Sequence, residues 1–107
     1  VLRTYAAGRP GWQVDTILEK GGTPCAEHLI RAVADAAAAE GLSCIRMPSG
    51  AGHDAQSLAA AGVPVGMIFV PCRRGVSHSP EEWIEPAQAA QGCQVLLRTL
   101  LSLASGV

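Results

Sequence analysis

Gly62-Val63-Pro64-Val65-Gly66-Met67-Ile68-Phe69-Val70-Pro71 is the stretch that decides the fold. From Val63 to Val70 it is almost continuously apolar and rich in β-branched residues. A strand with one wet face alternates apolar and polar side chains, whereas one that is apolar on both faces belongs inside a sheet covered on both sides. The run 63–70 therefore reads as a buried strand.

Working upstream, a helix is predicted over 53–61, starting at His53 or Asp54 and stopping at Gly62. Before it lies the glycine-rich turn Ser49-Gly50-Ala51-Gly52, and before that a short strand, 42–47, interrupted by Pro48. Two β-favourable runs joined through one helix predict neighbouring parallel strands with a right-handed crossover. Thr23-Pro24 is a helix start signal, a hydroxyl cap followed by proline at the first helical position. Ala26, Leu29, Ile30, Val33, Ala36 and Ala37 then recur at helical spacing, and Gly41 closes a helix of about 24–40. Val14–Leu18 is β-favourable. Downstream, 71–80 reads as loop and 86–104 as a final helix, with Ala89, Cys93, Leu96, Leu97, Leu100 and Ala104 on one face. The order strand–helix–strand–helix–strand–helix is α/β layering. A buried strand needs neighbours that this chain supplies sparingly, so the sequence reads as part of a larger sheet.

Composition narrows the function classes. With 107 residues, 49% apolar and 16% charged, the chain is globular and holds one domain or part of one. The net charge of −1 comes with scattered basic residues, Arg73-Arg74 being the only tight pair. Nucleic-acid binding needs a basic face to neutralise phosphates, and no such face is legible. The apolar runs fall far short of a membrane span, and residues 1–12 carry no apolar signal-peptide core, so no membrane is expected and a cytoplasmic location is the default. Cys25, Cys44, Cys72 and Cys93 form no CxxC pair and are expected as reduced, mostly buried thiols.

Two segments could carry chemistry. Ser77-His78-Ser79-Pro80-Glu81-Glu82-Trp83 follows the buried strand, and ligands of open α/β sheets sit beyond the carboxyl ends of strands. A histidine there can coordinate a metal through a neutral imidazole nitrogen, or can simply be a loop histidine beside an acidic helix start. In Gly50-Ala51-Gly52-His53-Asp54-Ala55, glycines allow close backbone approach to a ligand and the following helix start favours an anion; a plain strand-to-helix turn capped by Asp54 reads equally well. The same residues fit the dinucleotide pattern G-x-G-x-x-A, with Arg73 and Arg74 about 20 residues on to meet a 2′-phosphate, as an NADP-binding module would require. The nucleophile elbow G-x-S-x-G is absent, because Met47 precedes Ser49 by two. His28 reads as a packed or solvated helix residue, Trp12 and Trp83 as packing residues, and Glu19, Asp35 and Glu40 as solvated charges.

Taken together, 48–55, 66–71 and 75–83 resemble the C-terminal third of the hydantoinase/carbamoylase family of metal-dependent amidohydrolases: N-carbamoyl-L-amino acid hydrolases, allantoate amidohydrolases and β-ureidopropionases. The resemblance runs from about Thr23 to the end. It implies part of a three-layer α/β/α metallopeptidase-like catalytic domain over 23–107, with residues 1–22 similar to the end of that family's lid and dimerisation domain, or a linker. It also implies hydrolysis of a carbamoyl or ureido C–N bond at a two-metal site, with zinc, manganese or cobalt as the divalent metal of the complete enzyme. By the same resemblance His78 matches the last metal ligand, Ser77 and Glu82 a supporting role around it, and Gly50, Ala51, Gly52, His53 and Asp54 a segment lining the pocket of a small-molecule substrate. The family's other ligands and its glutamate base have no counterpart here. Catalysis by this chain alone is therefore not expected, and its partner is the rest of the enzyme or another copy of the chain. A non-catalytic remnant kept for partner binding or oligomerisation is the alternative from a different class.

Overall fold

The structure, a computed structural model, describes residues 22–106. Val14–Leu18, Trp12 and the expected lid segment, Gly22 apart, lie outside the described residues. The elements are helix α1 (Glu27–Ala39), helix α2 (Asp54–Ala60), a single 3₁₀ turn at Arg73–Gly75 and helix α3 (Pro86–Ser105).

Glycine ends the first two helices by the same device. Gly41 takes φ 70° and Gly62 φ 85°, the left-handed conformation that costs other residues most. Gly41 N–H then donates to the Ala38 carbonyl and Leu42 N–H to Ala37, while Gly62 donates to Ala59 and Val63 to Leu58. Each pair satisfies two carbonyls of the last turn in a Schellman arrangement. α3 begins with Pro86 in its first turn, where the missing N–H costs nothing. α1 begins three residues later than Thr23-Pro24 signals. Ala26 N–H donates to the Val65 carbonyl at 2.8 Å, which holds 23–26 against the later segment instead of in a helical turn. Ala26 is the cap residue, and no side chain caps this end.

The core is small. Ala36 and Ala37 of α1 meet Val95 of α3, with Val33, Leu42 and Ile68 packed around them. Thr99 is buried beside this seam and its hydroxyl donates to the Val95 carbonyl one turn earlier at 2.7 Å, so no polar atom of it is stranded. The seam on α3 is thus Val95–Thr99 and not the face expected from the leucines. Leu96, Leu97 and Leu100 are 47%, 51% and 55% exposed, because small side chains on α1 let the helices close along the Val95 row instead. The thiols are free, but Cys44 and Cys93 are exposed and Cys25 and Cys72 half-buried, which corrects the expectation of buried cysteines.

The segment 65–70 lies on these two helices with a period of two. A Cβ on Gly66 would sit 3.0 Å from Leu29 Cβ of α1, and one on Gly92 of α3 would sit 2.5 Å from Val70 Cγ1. Ile68 joins the core between them. Positions 66, 68 and 70 therefore face α1 and α3, while Phe69 turns the other way to meet the His53 ring. This is strand-like alternation, yet no strand is assigned among the described residues. The expected ladder between 42–47 and 63–70 does not form. A strand is defined by its neighbour, and a cavity lies between these two runs where a direct neighbour would have to be. Ile45, at 82% exposure, shows how little covers the 42–47 run. No helix among the described residues is long and apolar enough to cross a membrane.

Two ion pairs tie the pieces. Arg46 donates to both carboxylate oxygens of Glu27 at 2.9 and 3.0 Å, holding the 42–47 run to the start of α1. Arg98 of α3 donates to Glu40 at the end of α1, so Glu40 is a paired group and not the solvated charge its sequence context suggests.

Two predictions follow the packing. Alanine at a mid-helix glycine ordinarily gains about 0.8–1 kcal/mol, but the stiff, branched Val70 stands in the way. Gly92→Ala should therefore lower the denaturant midpoint in the natural background and raise it in a Val70→Ala background; the same sign in both would contradict the close approach. Hydrogen bonding from Arg46 holds the Glu27 carboxyl below its ordinary value of about 4.3. A depressed carboxylate adds stability above the unfolded-state value and loses it as pH falls through the folded one. Glu27→Gln should lower the urea midpoint slightly at pH 7, as suits an exposed pair, and leave it unchanged well below the folded-state value; an equal loss at both pH values would mean the effect is not ionic.

Candidate functional site

The site is built from two turns whose histidines, His53 and His78, lie 25 positions apart in sequence and meet in the fold. The first is the turn Ser49–His53. The Ser49 hydroxyl accepts from Ala51 N–H at 3.2 Å and lies 2.8 Å from His53 Nε2, which fixes the imidazole relative to its own turn. His53 is the extended cap residue of α2, so its ring leaves the helix axis at the first turn. Gly50 and Gly52 are both outside the left-handed region, and a Cβ on Gly50 would meet nothing within 4 Å. Neither the backbone conformation nor any described neighbour requires glycine at 50.

The second turn is the loop between segment 65–71 and α3. It is clasped at its base: Arg73 N–H donates to the Trp83 carbonyl at 2.8 Å, and the Arg73 guanidinium lies over the Trp83 ring at 5.5 Å. Arg74 pairs with Glu81 at 3.2 Å, and Arg73 approaches Glu85 at 3.8 Å. Inside the clasp, Glu82 N–H donates to the Ser79 carbonyl at 3.0 Å and Glu81 N–H to the Ser79 hydroxyl at 3.3 Å. Trp83 is half exposed, so it staples the loop and does not serve the core. Glu81 and Glu82 belong to this turn; they do not start the final helix, which begins at Pro86.

His78 stands at the tip in the left-handed region, with φ 54°. Histidine adopts that conformation more readily than most residues but still at a cost, and such outliers gather where a side chain must be aimed. Its ring meets His53 edge-on, with centroids 5.3 Å apart and planes at 89°. Phe69 closes the other side of His53 at 5.8 Å. Of the residues singled out in sequence, His53 and His78 are therefore brought together, with Gly50, Ala51, Gly52 and Asp54 beside His53 along the chain. Ser77 and Glu82 flank the tip in sequence, but neither side chain hydrogen-bonds a described residue. Ser49 and Phe69 belong to the site as well. The four-residue spacing from Ser49 to His53 was the available signal for the first; nothing local marks Phe69. His28 is exposed on α1, away from these turns.

Two imidazoles at converging loop tips can bind a metal or a polar ligand, but the donor set is incomplete. Among the described residues no group of three His, Cys, Asp or Glu could hold a metal ion, and a catalytic zinc takes three protein ligands. The dinucleotide reading loses its arginines, since Arg73 and Arg74 are engaged with Trp83, Glu85 and Glu81 within their own loop.

Comparison with known proteins identifies relatives by sequence. The chain is 41% identical over 91 residues to allantoate amidohydrolase of Bacillus subtilis, covering 85% of this chain and 22% of that protein. It is 43% identical over 82 residues to N-carbamoyl-L-amino acid amidohydrolase of Geobacillus stearothermophilus (77% and 20%), and 44% identical over 75 residues to ureidoglycolate hydrolase of Arabidopsis thaliana (70% and 16%). The chain thus spans about a fifth of the length of these relatives. No solved structure matches it. Residues 11–102 match peptidase family M20/M25/M40. The chain belongs to that family.

Proposed function

We propose that this chain is the C-terminal part of a metal-dependent amidohydrolase that cleaves the C–N bond of a linear carbamoyl or ureido substrate, and that His78 is one ligand of its divalent metal. The observation that carries the reading is the meeting of His53 and His78 across the two turns, in a chain whose relatives bear the names allantoate amidohydrolase, N-carbamoyl-L-amino acid amidohydrolase and ureidoglycolate hydrolase. The expected three-layer architecture is supported by the alternation along 66–70, which has α1 and α3 on one face and His53 at the start of α2 on the other.

In this reading the clasped loop holds His78 at its tip so that one neutral imidazole nitrogen is offered to the metal. Ser77 and Glu82 orient that tip. His53, fixed by Ser49, borders the substrate, and Gly50 and Gly52 let it approach the backbone closely. Ala51 and Asp54 complete this wall, with Asp54 opening α2. Bound divalent metal, with zinc, manganese and cobalt as candidates, supplies Lewis acidity for hydrolysis. The residues of this chain cover one ligand and one side of the pocket. The remaining donors and the base must come from the rest of the enzyme, so the 107-residue chain alone hydrolyses nothing.

The test uses the full-length enzyme. His78→Ala should lower bound metal and turnover together, each by at least the roughly 10–100-fold that loss of an outer partner of a metal ligand costs. His28→Ala and Cys93→Ala should leave both unchanged. Full metal occupancy in His78→Ala would refute the ligand assignment. Hydrolysis of N-carbamoyl amino acids by the isolated chain with added zinc, manganese or cobalt would refute the division of the site.

A further inference from the structure

The two imidazoles that meet at the site, with centroids 5.3 Å apart, are not chemically equivalent. The His78 ring hydrogen-bonds no described residue. His53 Nε2, by contrast, lies 2.8 Å from the Ser49 hydroxyl oxygen. A neutral imidazole has one N–H and one lone pair, and the hydrogen bond made at one nitrogen decides which of the two carries the proton. The direction of the Ser49–His53 bond therefore sets what His53 can do.

That direction follows from the protons available at Ser49. A serine hydroxyl has a single hydrogen to donate and two lone pairs with which to accept. One lone pair accepts the Ala51 N–H at 3.2 Å. The hydrogen has two destinations, the Ala51 carbonyl at 3.5 Å and His53 Nε2 at 2.8 Å. Bonds donated by hydroxyls cluster near about 2.7–2.8 Å and those donated by N–H near about 2.9–3.0 Å. Donation from Ser49 to Nε2 makes one bond of ordinary hydroxyl length. The reverse direction, Nε2–H to Ser49, leaves the hydroxyl hydrogen only the long contact to the Ala51 carbonyl. Neighbouring rings hold the imidazole plane while this choice is made: Phe69 packs on it at 5.8 Å and 60°, and His78 at 89°.

We propose that Ser49 is a positioning residue that holds His53 as the neutral tautomer with its proton on Nδ1. The Nε2 lone pair is then engaged and is withheld from any cation. Nδ1 is a donor, so whatever touches it must accept a hydrogen bond. Of the two imidazoles, only His78 keeps a nitrogen lone pair free for a metal. Sequence supplies this division of labour locally, through a serine four positions before the histidine, in a turn closed by its own backbone. The inference rests on the reading that puts His78 on the metal and His53 beside the substrate, and it assigns the residue that keeps the two roles apart.

The test uses full-length enzyme labelled with nitrogen-15 in its histidines, metal-free and loaded with zinc. Imidazole nitrogen–proton correlation spectra identify the protonated nitrogen, and His53 is assigned by the signals lost in His53→Gln. The natural enzyme should show His53 in the Nδ1–H form alone, with or without zinc. Ser49→Ala should release a mixture of both tautomers, and Ser49→Thr, which keeps the hydroxyl, should restore the single form. In Ser49→Ala the KM should rise about 2–10-fold, as suits loss of one neutral hydrogen bond, with kcat and bound metal near their natural values. A natural enzyme with the proton on Nε2 overturns the proposal, as does an unchanged Nδ1–H form in Ser49→Ala. Loss of metal in Ser49→Ala also overturns it, by tying the hydroxyl to the metal and not to the tautomer. Released tautomers with an unchanged KM support the role of Ser49 and refute instead the placing of His53 beside the substrate. Because the tautomer is read in metal-free enzyme, its outcome is separate from the assignment of His78 as a ligand.

Discussion

Two absent side chains set the geometry of this molecule. At Gly66 an added Cβ would press on Leu29, and at Gly92 it would run into Val70. These two positions let α1 and α3 close onto one face of segment 65–70, with half-buried Ile68 packed against the cluster of Ala36, Ala37 and Val95. Everything of functional interest hangs from that contact. It fixes the direction of 65–70, which turns Phe69 toward His53 and delivers the chain into the clasped loop that carries His78.

The energetic balance is lopsided. Among the described apolar residues only Ala36, Ala37, Val65 and Val95 are buried, and large side chains such as Ile45, Leu97 and Leu101 remain more than half exposed. A core that small stabilises little, since burial contributes about 25 cal/mol per Å² against a conformational cost of about 1–2 kcal/mol per ordered residue. The ion pairs cannot make up the difference, because exposed pairs contribute about 0–1 kcal/mol each. Capped helix ends and a stapled loop give local order, whereas global stability awaits the surfaces that the cavity and the leucine face of α3 leave open.

What the sequence reveals and conceals follows the same division between local and distant. The helices over 54–60 and 86–105 were legible because their signals are local: Gly62 in the left-handed conformation, Pro86 in the first turn. The start of α1 was misread because Thr23-Pro24 competes with a bond from Ala26 to Val65, nearly forty positions away. Of the two predicted strands, neither 42–47 nor 63–70 is assigned as strand among the described residues, since a strand needs a hydrogen-bonded neighbour that no local pattern states. At the site, the motifs around His53 and His78 were visible, but their meeting was not. The staple of Arg73 on Trp83 and of Arg74 on Glu81 was foreshadowed only by opposite charges on either side of Gly75–Pro80. Glu40 looked solvated because Arg98 is distant in sequence.

In the proposed reading, the clasped loop that holds His78 at φ 54° aims it at a metal shared with residues from elsewhere in the enzyme. The most direct measurement is a crystal structure of the full-length enzyme with zinc, located by anomalous scattering. The account predicts an imidazole nitrogen of His78 about 2.0–2.1 Å from the metal, with His53 beside the site and not bound to it. A filled metal site with the His78 ring turned away would contradict it.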